Sequence, residues 1–439
     1  MRFLRTLVAL AITVCVALLA VAIAGYGSSQ NMGGEASAPA EVFEPFGWQA
    51  SVPKSAPGPA TVLVSGDGWG LQGPVYDKVA VVAESGVYRV LRYKVDVEAG
   101  ENVLLSPDGS MVADAEPHQI VGPSGSPTTP PKSSEPEVWV TDLTTGRSTR
   151  STVPGNDTAR PIAWSPDGRK LLVQVGSAPE HGPWVGGDLN LLDLESGDVR
   201  RLADLGSRLV HRAHLAAFSP DGRKVAAQVG DDLRVIDLAN RTTRTLTRLG
   251  TDRRLAGIGA WSPGGDRIAV LTLSGCTKLC TRAALGDRTW QIDEVDANSG
   301  SSSVGGFDRL TGSAVRVLGR TDGGELAVVR YRPADDLSSD TNGVLSVDGN
   351  EVDETDYAAV EGVELLGLDA SGDRRTLIEL PPGSRHVDVA AELVTEDRFD
   401  GRSSRPMPFP APFWVTTLVI LLLVLVVWFA LKVRRRARA

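Results

Sequence analysis

The chain has 439 residues, of which 42% are hydrophobic and 23% charged, with a net charge of −9 and only three cysteines. That length suits one large all-β domain with membrane segments at its ends. With the two basic residues of 1–24 and the five of 432–439 set aside, −9 becomes −16, a balance that disfavours nucleic acid and anionic wall polymers, whose binding needs clustered Lys and Arg.

At the N-terminus, Arg2 and Arg5 precede an uncharged apolar run over residues 6–24, which ends in Ala22-Ile23-Ala24, a small-x-small pattern before Gly25. Residues 1–24 read as a signal peptide or an N-terminal anchor. Cys15 sits in this run with no lipobox around it and reads as apolar filler. Residues 25–58, rich in Gly, Ser, Ala and Pro, read as a flexible linker.

Residues 59–400 read as short strands. A hairpin over 79–82 and 87–91 comes first. Four corners follow: Leu105-Ser106-Pro107-Asp108-Gly109, Trp164-Ser165-Pro166-Asp167-Gly168, Phe218-Ser219-Pro220-Asp221-Gly222 and Trp261-Ser262-Pro263-Gly264-Gly265. Pro presets φ in a tight turn, Asp caps it, and Gly takes the left-handed conformation that returns the chain antiparallel. Buried strands follow the corners at 170–175, 224–229 and 267–272, and half-exposed alternating strands ending in Asp-Leu lie at 138–143, 189–194 and 233–238. A turn and an exposed fourth strand such as 198–202 complete each unit.

The corner prolines are 59, 54 and 43 residues apart, a spacing at the scale of propeller blades. A fifth copy at 320–328 keeps the turn but lacks the proline, with its alternating strand at 363–368, and residues 387–390 supply a last strand. Joined to the first hairpin, that strand completes a sixth unit. A four-stranded unit cannot bury both faces alone, so units stack around an axis. Trp164, Phe218 and Trp261 then fill the interfaces, and Asp142, Asp193 and Asp237 cap turns.

The aromatic-Ser-Pro-Asp-Gly corner, strand, and apolar-x-apolar-x-Asp-Leu signature resemble the TolB-type propeller repeat, related in design to WD repeats, over residues 59–399. The resemblance implies an all-β β-propeller of six blades with four antiparallel strands each. Such blades occur in periplasmic TolB, in peptidase propeller domains and in bacterial surface proteins. TolB carries an α/β domain ahead of its propeller, where this sequence has only a linker.

Residues 401–412 form a Pro-rich stalk held extended by alternating prolines. Residues 413–431 are almost wholly apolar, with Trp414 and Trp428 near the borders, and Lys432, Arg434, Arg435, Arg436 and Arg438 follow. This reads as a transmembrane helix with a basic cytoplasmic tail at 432–439, single-pass, or two-pass if residues 1–24 are retained. The propeller then lies outside the cytoplasm, anchored to the cell membrane.

Chemistry is sparse in this sequence. No Gly-x-Ser-x-Gly nucleophile elbow occurs. The histidines are His118, His181, His211, His214 and His386, and only His211 and His214 are close in sequence, with no third ligand beside them. Cys276 and Cys280, four apart in an exported domain, read as a local disulfide. The acidic stretch 348–356 lacks EF-hand spacing and reads as a solvated loop; Gly-rich 298–306 lacks the phosphate-loop lysine and reads as an insertion; 117–136 reads as a surface loop.

No catalytic, cofactor or metal residues emerge. The expectation is a non-enzymatic platform that binds an envelope protein or peptide. The alternatives are a propeller enzyme acting on envelope glycans through the channel mouth and a ligand-sensing subunit of a membrane complex. Function is expected in 117–136, 276–280 and 335–356, the loops that differ between units.

Overall fold

The computed structural model describes residues 36–46, 49–67, 78–94, 96–121, 127–129, 135–155, 158–177, 185–209, 215–406, 420–422, 424–425 and 428. The corners behave as L-residue sterics require. Gly109, Gly168, Gly222 and Gly265 sit at φ of 72°, 67°, 66° and 68°. Each corner serine closes its turn twice. Ser106, Ser165 and Ser219 donate to Asp108, Asp167 and Asp221 at 2.7, 2.6 and 2.6 Å. The same hydroxyls accept from the amides of Met111, Lys170 and Lys224 at 2.8, 2.8 and 2.9 Å. In the fourth copy Gly264 removes the carboxylate, and Asp266 takes over by accepting from Ser262 at 2.7 Å.

Five successive sheets are antiparallel meanders. The first contains Val103–Leu105, Met111–Asp114, Glu137–Asp142 and Arg147–Thr152. The second contains Thr158–Trp164, Lys170–Ser177, Val185–Asp193 and Val199–Leu209, and the third Ala216–Phe218, Lys224–Val229, Asp232–Asp237 and Thr242–Arg248. The fourth contains Arg253–Leu255, Arg267–Ser274, Thr289–Asp296 and Ser302–Val304, with Leu310–Thr311 added, and the fifth Ala314–Arg320, Leu326–Pro333, Val360–Leu368 and Arg374–Ile378. A closing sheet joins the two ends of the domain: Ser384–Val389 pairs with Ala60–Gly66, followed by Lys78–Ala83 and Tyr88–Arg92.

The apolar cores lie between neighbouring sheets. Leu104 and Val138 of the first sheet meet Trp164 and Leu171 of the second, and Leu172 and Leu189 of the second meet Phe218 and Ile236 of the third. Leu233 of the third, Ile268 of the fourth and Val328 of the fifth share a cluster. Val329 and Leu365 of the fifth, Val64 of the closing sheet and Val112 of the first share another. The sheets thus stack as the blades of a β-propeller, in which each sheet is buried by its neighbours.

Two corner tryptophans stitch these interfaces: Trp164 Nε1 donates to Leu104 O at 3.3 Å and Trp261 Nε1 to Ala217 O at 3.1 Å. Trp261→Phe keeps most of the packing but orphans a buried carbonyl. It should cost about 1–2 kcal/mol, read as a shift in urea midpoint at unchanged slope.

Antiparallel meandering sorts the connections by end. Corners and the Asp-capped turns share one end, as the Lys170–Asp193 and Lys224–Asp237 pairings require. In those turns Asp142, Asp193 and Asp237 accept from the amides of Thr144, Ser196 and Asn240 at 2.7, 3.0 and 2.8 Å. The links between second and third strands lie at the other end, here termed the loop end. Segments 276–280 and 335–356 and the described parts of 117–136 fall there.

Three expectations are corrected. Residues 36–46 and 49–55 are no free linker, because Ala38, Val42, Gln49 and Val52 are buried and Ala38 N reaches Arg398 O at 2.8 Å; the strap covers apolar rim surface. The stretch 298–306 is not merely an insertion, since Ser302–Val304 is the outer strand of the fourth sheet. The segment 117–136 is not surface loop throughout, because His118 is buried against Asp114.

Candidate functional site

The innermost strands carry buried charged side chains. Arg160 comes from Thr158–Trp164, Arg254 from Arg253–Leu255, Arg316 from Ala314–Arg320, and His386 and Asp388 from Ser384–Val389; all are buried. The link between the closing and first sheets adds Glu98 and Glu101. Charges removed from water must be matched. For Arg254 the match comes from the insertion between Leu326–Pro333 and Val360–Leu368.

That insertion carries its own three-stranded sheet of Ser338–Ser339, Leu345–Val347 and Asn350–Glu351. Its small core of Leu337, Leu345, Val352 and Ala359 includes Cys280 and Leu285 from the fourth sheet's loop. It then dips over the axis: Asp353, Glu354 and Thr355 are only 6%, 7% and 4% exposed. The reading of 348–356 as a solvated loop therefore holds only for its first half. Arginines waiting on the axis stabilise the acids that follow.

Glu354 forms an ion pair with Arg254 and lies 3.8 Å from Arg288. The Arg254 guanidinium stacks 4.0 Å from the Trp290 ring. Thr355 O accepts from His386 Nε2 at 2.6 Å, and the Tyr357 ring stacks on His386. Tyr357 N donates to Glu98 at 2.7 Å, and Arg385 donates to Tyr357 O at 2.6 Å. Together these residues cap the axis.

Burial sets the protonation. It pushes His386 down to about 4, consistent with a neutral ring donating through Nε2. It pushes Asp388 up to about 6 against the pull of Arg316. Burial, then the Asp356 and Glu101 carboxylates, raises Glu98 well above the usual range.

Cys276 and Cys280 are joined in a disulfide whose loop seats the cap. Leu279 N donates to Asp340 O at 2.8 Å and Ser339 N to Cys280 O at 3.0 Å, while Cys280 N donates to Ser339 Oγ at 2.9 Å. Opening so short a ring releases loop entropy worth about 2 kcal/mol. The Cys276→Ser/Cys280→Ser double variant should show faster amide exchange at Leu279 and Ser339, with little change in the first three sheets.

A second buried cluster surrounds His118. Its Nδ1 lies 3.3 Å from Asp114 Oδ2, and its Nε2 is 3.3 Å from Thr141 Oγ1 and 3.2 Å from Ser148 Oγ. Tyr93 O–H donates to Asp114 Oδ1 and its ring meets His118 edge-on. The imidazole is shared between two hydroxyls inside packed strands, which makes it a polar core pin. His181, His211 and His214 lie outside the described residues. A crevice of about 490 Å³ between the second and third sheets is lined by Lys170, Asp193, Arg200 and Arg241, away from the axis and beside capped turns.

The corner residues Pro107, Pro166, Pro220 and Pro263 and their glycines end up remote from the axial cluster, at the opposite end of the sheets. Sequence reasoning missed Arg254 and Arg288, because isolated arginines carry no motif, and reached Glu354 only as part of the acidic stretch 348–356. The signal was the length of the insertion itself.

Among solved structures, TolB from Acinetobacter baumannii is similar over 62% of this chain and 61% of its own, at 16% identity and a TM-score of 0.34. An oligogalacturonate lyase in complex with manganese is similar over 76% and 77%, at 13% identity and 0.39. The Swd1 β-propeller domain from Myceliophteria thermophila is similar over 54% and 64%, at 17% identity and 0.33. The chain spans about 61% of the length of the Acinetobacter TolB. No protein-family model and no curated protein sequence matches.

Proposed function

We propose that this chain is a membrane-tethered, extracytoplasmic propeller of six blades that binds a protein or peptide partner at its loop end. The observation that carries this reading is the separation of tether from loops. After Ser384–Val389 a short helix, Ala391–Thr395, packs at the corner end, where Glu392 N meets Pro107 O at 3.1 Å. Ser404 then donates to Gly86 O in a corner-end turn. Residues 401–406, the described start of the expected stalk, lie at the end opposite the cap, and a helix at 413–431 entering a membrane would point the irregular loops away from the bilayer.

Residues 1–24, read as a signal peptide or anchor, residues 407–412 of the stalk, most of the helix at 413–431 and the tail at 432–439 lie outside the described residues. The described part of 413–431 is helical, with Ile420, Leu421, Val424, Leu425 and Trp428 all exposed, an apolar surface suited to lipid. Among the described residues no helix is long and apolar enough to cross a membrane.

Recognition fits the capped axis better than glycan turnover, because residues 353–357 fill the mouth that a substrate would enter. The test is photo-crosslinking in intact cells of the full chain carrying a benzophenone residue at Leu279, on the loop end, or at Asn240, on the corner end. A distinct envelope protein should be captured from Leu279 and not from Asn240. Identical capture from both positions would contradict the reading.

A further inference from the structure

We propose that Arg254, Arg288 and Trp290 form a carboxylate seat, that Glu354 occupies it as an internal ligand, and that its external ligand is a glutamate-bearing acidic segment of the partner. This rests on the loop-end reading above and names the chemistry recognised there.

The seat is built without Glu354. Trp290 is buried, and its Nε1 donates to Gly312 O at 3.0 Å. That fixes the ring on which Arg254 stacks. Arg288 Nε donates to Cys276 O at 2.8 Å, which aims the rest of its guanidinium at the same place. Two oriented guanidiniums, that of Arg254 stacked on an aromatic ring, match a carboxylate in charge and shape.

The acid that fills the seat belongs to another module. Both arginines come from the fourth sheet, whereas Glu354 arrives on the insertion of the fifth, which has its own sheet and small core. A buried ion pair between separate modules adds little net stability, since desolvation offsets the attraction. Its value lies in holding one arrangement until something with the same chemistry competes. The external part of the chain is acidic overall, so a buried arginine pair at the loop end stands out as a local attractor for negative charge. The cap is held by further contacts at Thr355 and Tyr357, so the closed fraction taxes an external ligand's apparent affinity.

The probe is fluorescein-labelled hexaglutamate, read by anisotropy against the full-length chain in nonionic detergent at low salt. Glu354→Ala should bind it at least about tenfold tighter than the wild type, and Arg288→Gln added to Glu354→Ala should abolish the gain; hexalysine should show no gain. Near-UV circular dichroism verifies the fold, and Glu354→Gln is read by the same criterion should the alanine variant not fold. Folded variants that bind no tighter than wild type, a gain that survives Arg288→Gln, or loss of fold in both Glu354 variants would each overturn the seat. Capture from Leu279 is measured separately, so the seat can fail while the loop-end platform stands.

Discussion

Arg316→Ala should destabilise the domain by about 3–5 kcal/mol. Arg316 is fully buried at the junction of the fifth, closing and first sheets. Its Nη1 donates to Gly100 O, its Nη2 donates to Val387 O at 2.5 Å, and the Glu101 carboxylate lies 3.9 Å away. Truncation strands two carbonyls and leaves Glu101 and Asp388 in low dielectric without their cation. Nothing local can replace it, because the inner strands here meet through this side chain. The effect is read in urea denaturation, with Arg316→Met/Glu101→Leu recovering much of the loss by removing charge and countercharge together. A change below about 1 kcal/mol would mean that ring closure does not depend on this contact.

The second large effect is a pair of opposed pH dependences on one strand. His386, lowered to about 4 from 6.5, contributes stability present above pH 6.5 and lost as pH falls toward 4. Asp388, raised to about 6 from 3.8, contributes stability present below pH 3.8 and lost as pH rises through 6. Each shift corresponds to roughly 3 kcal/mol, and in the wild type the two slopes offset one another between about pH 4 and 6. His386→Gln leaves the aspartate slope alone, so relative to wild type it should gain stability at pH 4.5 compared with pH 7. Asp388→Asn should do the reverse. Melting temperatures of both variants across pH 4–7 check this; parallel curves for the two would contradict the assignment.

The repeat was legible because its chemistry is local. Pro107, Asp108 and Gly109 dictate a turn from within five residues, and Trp164 and Trp261 announce an interface by recurring at one place. The closing sheet was legible too, since unpaired strands at both ends of a ring have one another as partners. The strap at 36–46 and 49–55 was misread because Gly, Ser and Pro predict flexibility, whereas Ala38 and Val42 are buried against surface far away in sequence, where their amides donate to Arg398 O and Glu379 O, and Val52 is buried beside the Ser51–Val90 bridge. The axial cluster was hidden for the same reason. Arg254 and His386 come from two different sheets, Arg288 from a loop of the fourth sheet and Glu354 from the insertion, and no spacing in one chain segment reports their meeting. Asp353 and Glu354 in particular look solvated until the arginines beneath them are known.

In the proposed function a membrane helix tethers the propeller with its blades outside the cytoplasm. Cysteine accessibility in intact cells tests it most directly, using a membrane-impermeant maleimide on full-length chains that carry Cys15→Ser and either Val304→Cys, at an outer strand position 80% exposed, or Arg436→Cys in the basic tail. The prediction is labelling at position 304 in intact cells and at position 436 only after lysis. Labelling at 436 in intact cells with 304 protected would invert the topology and contradict the account.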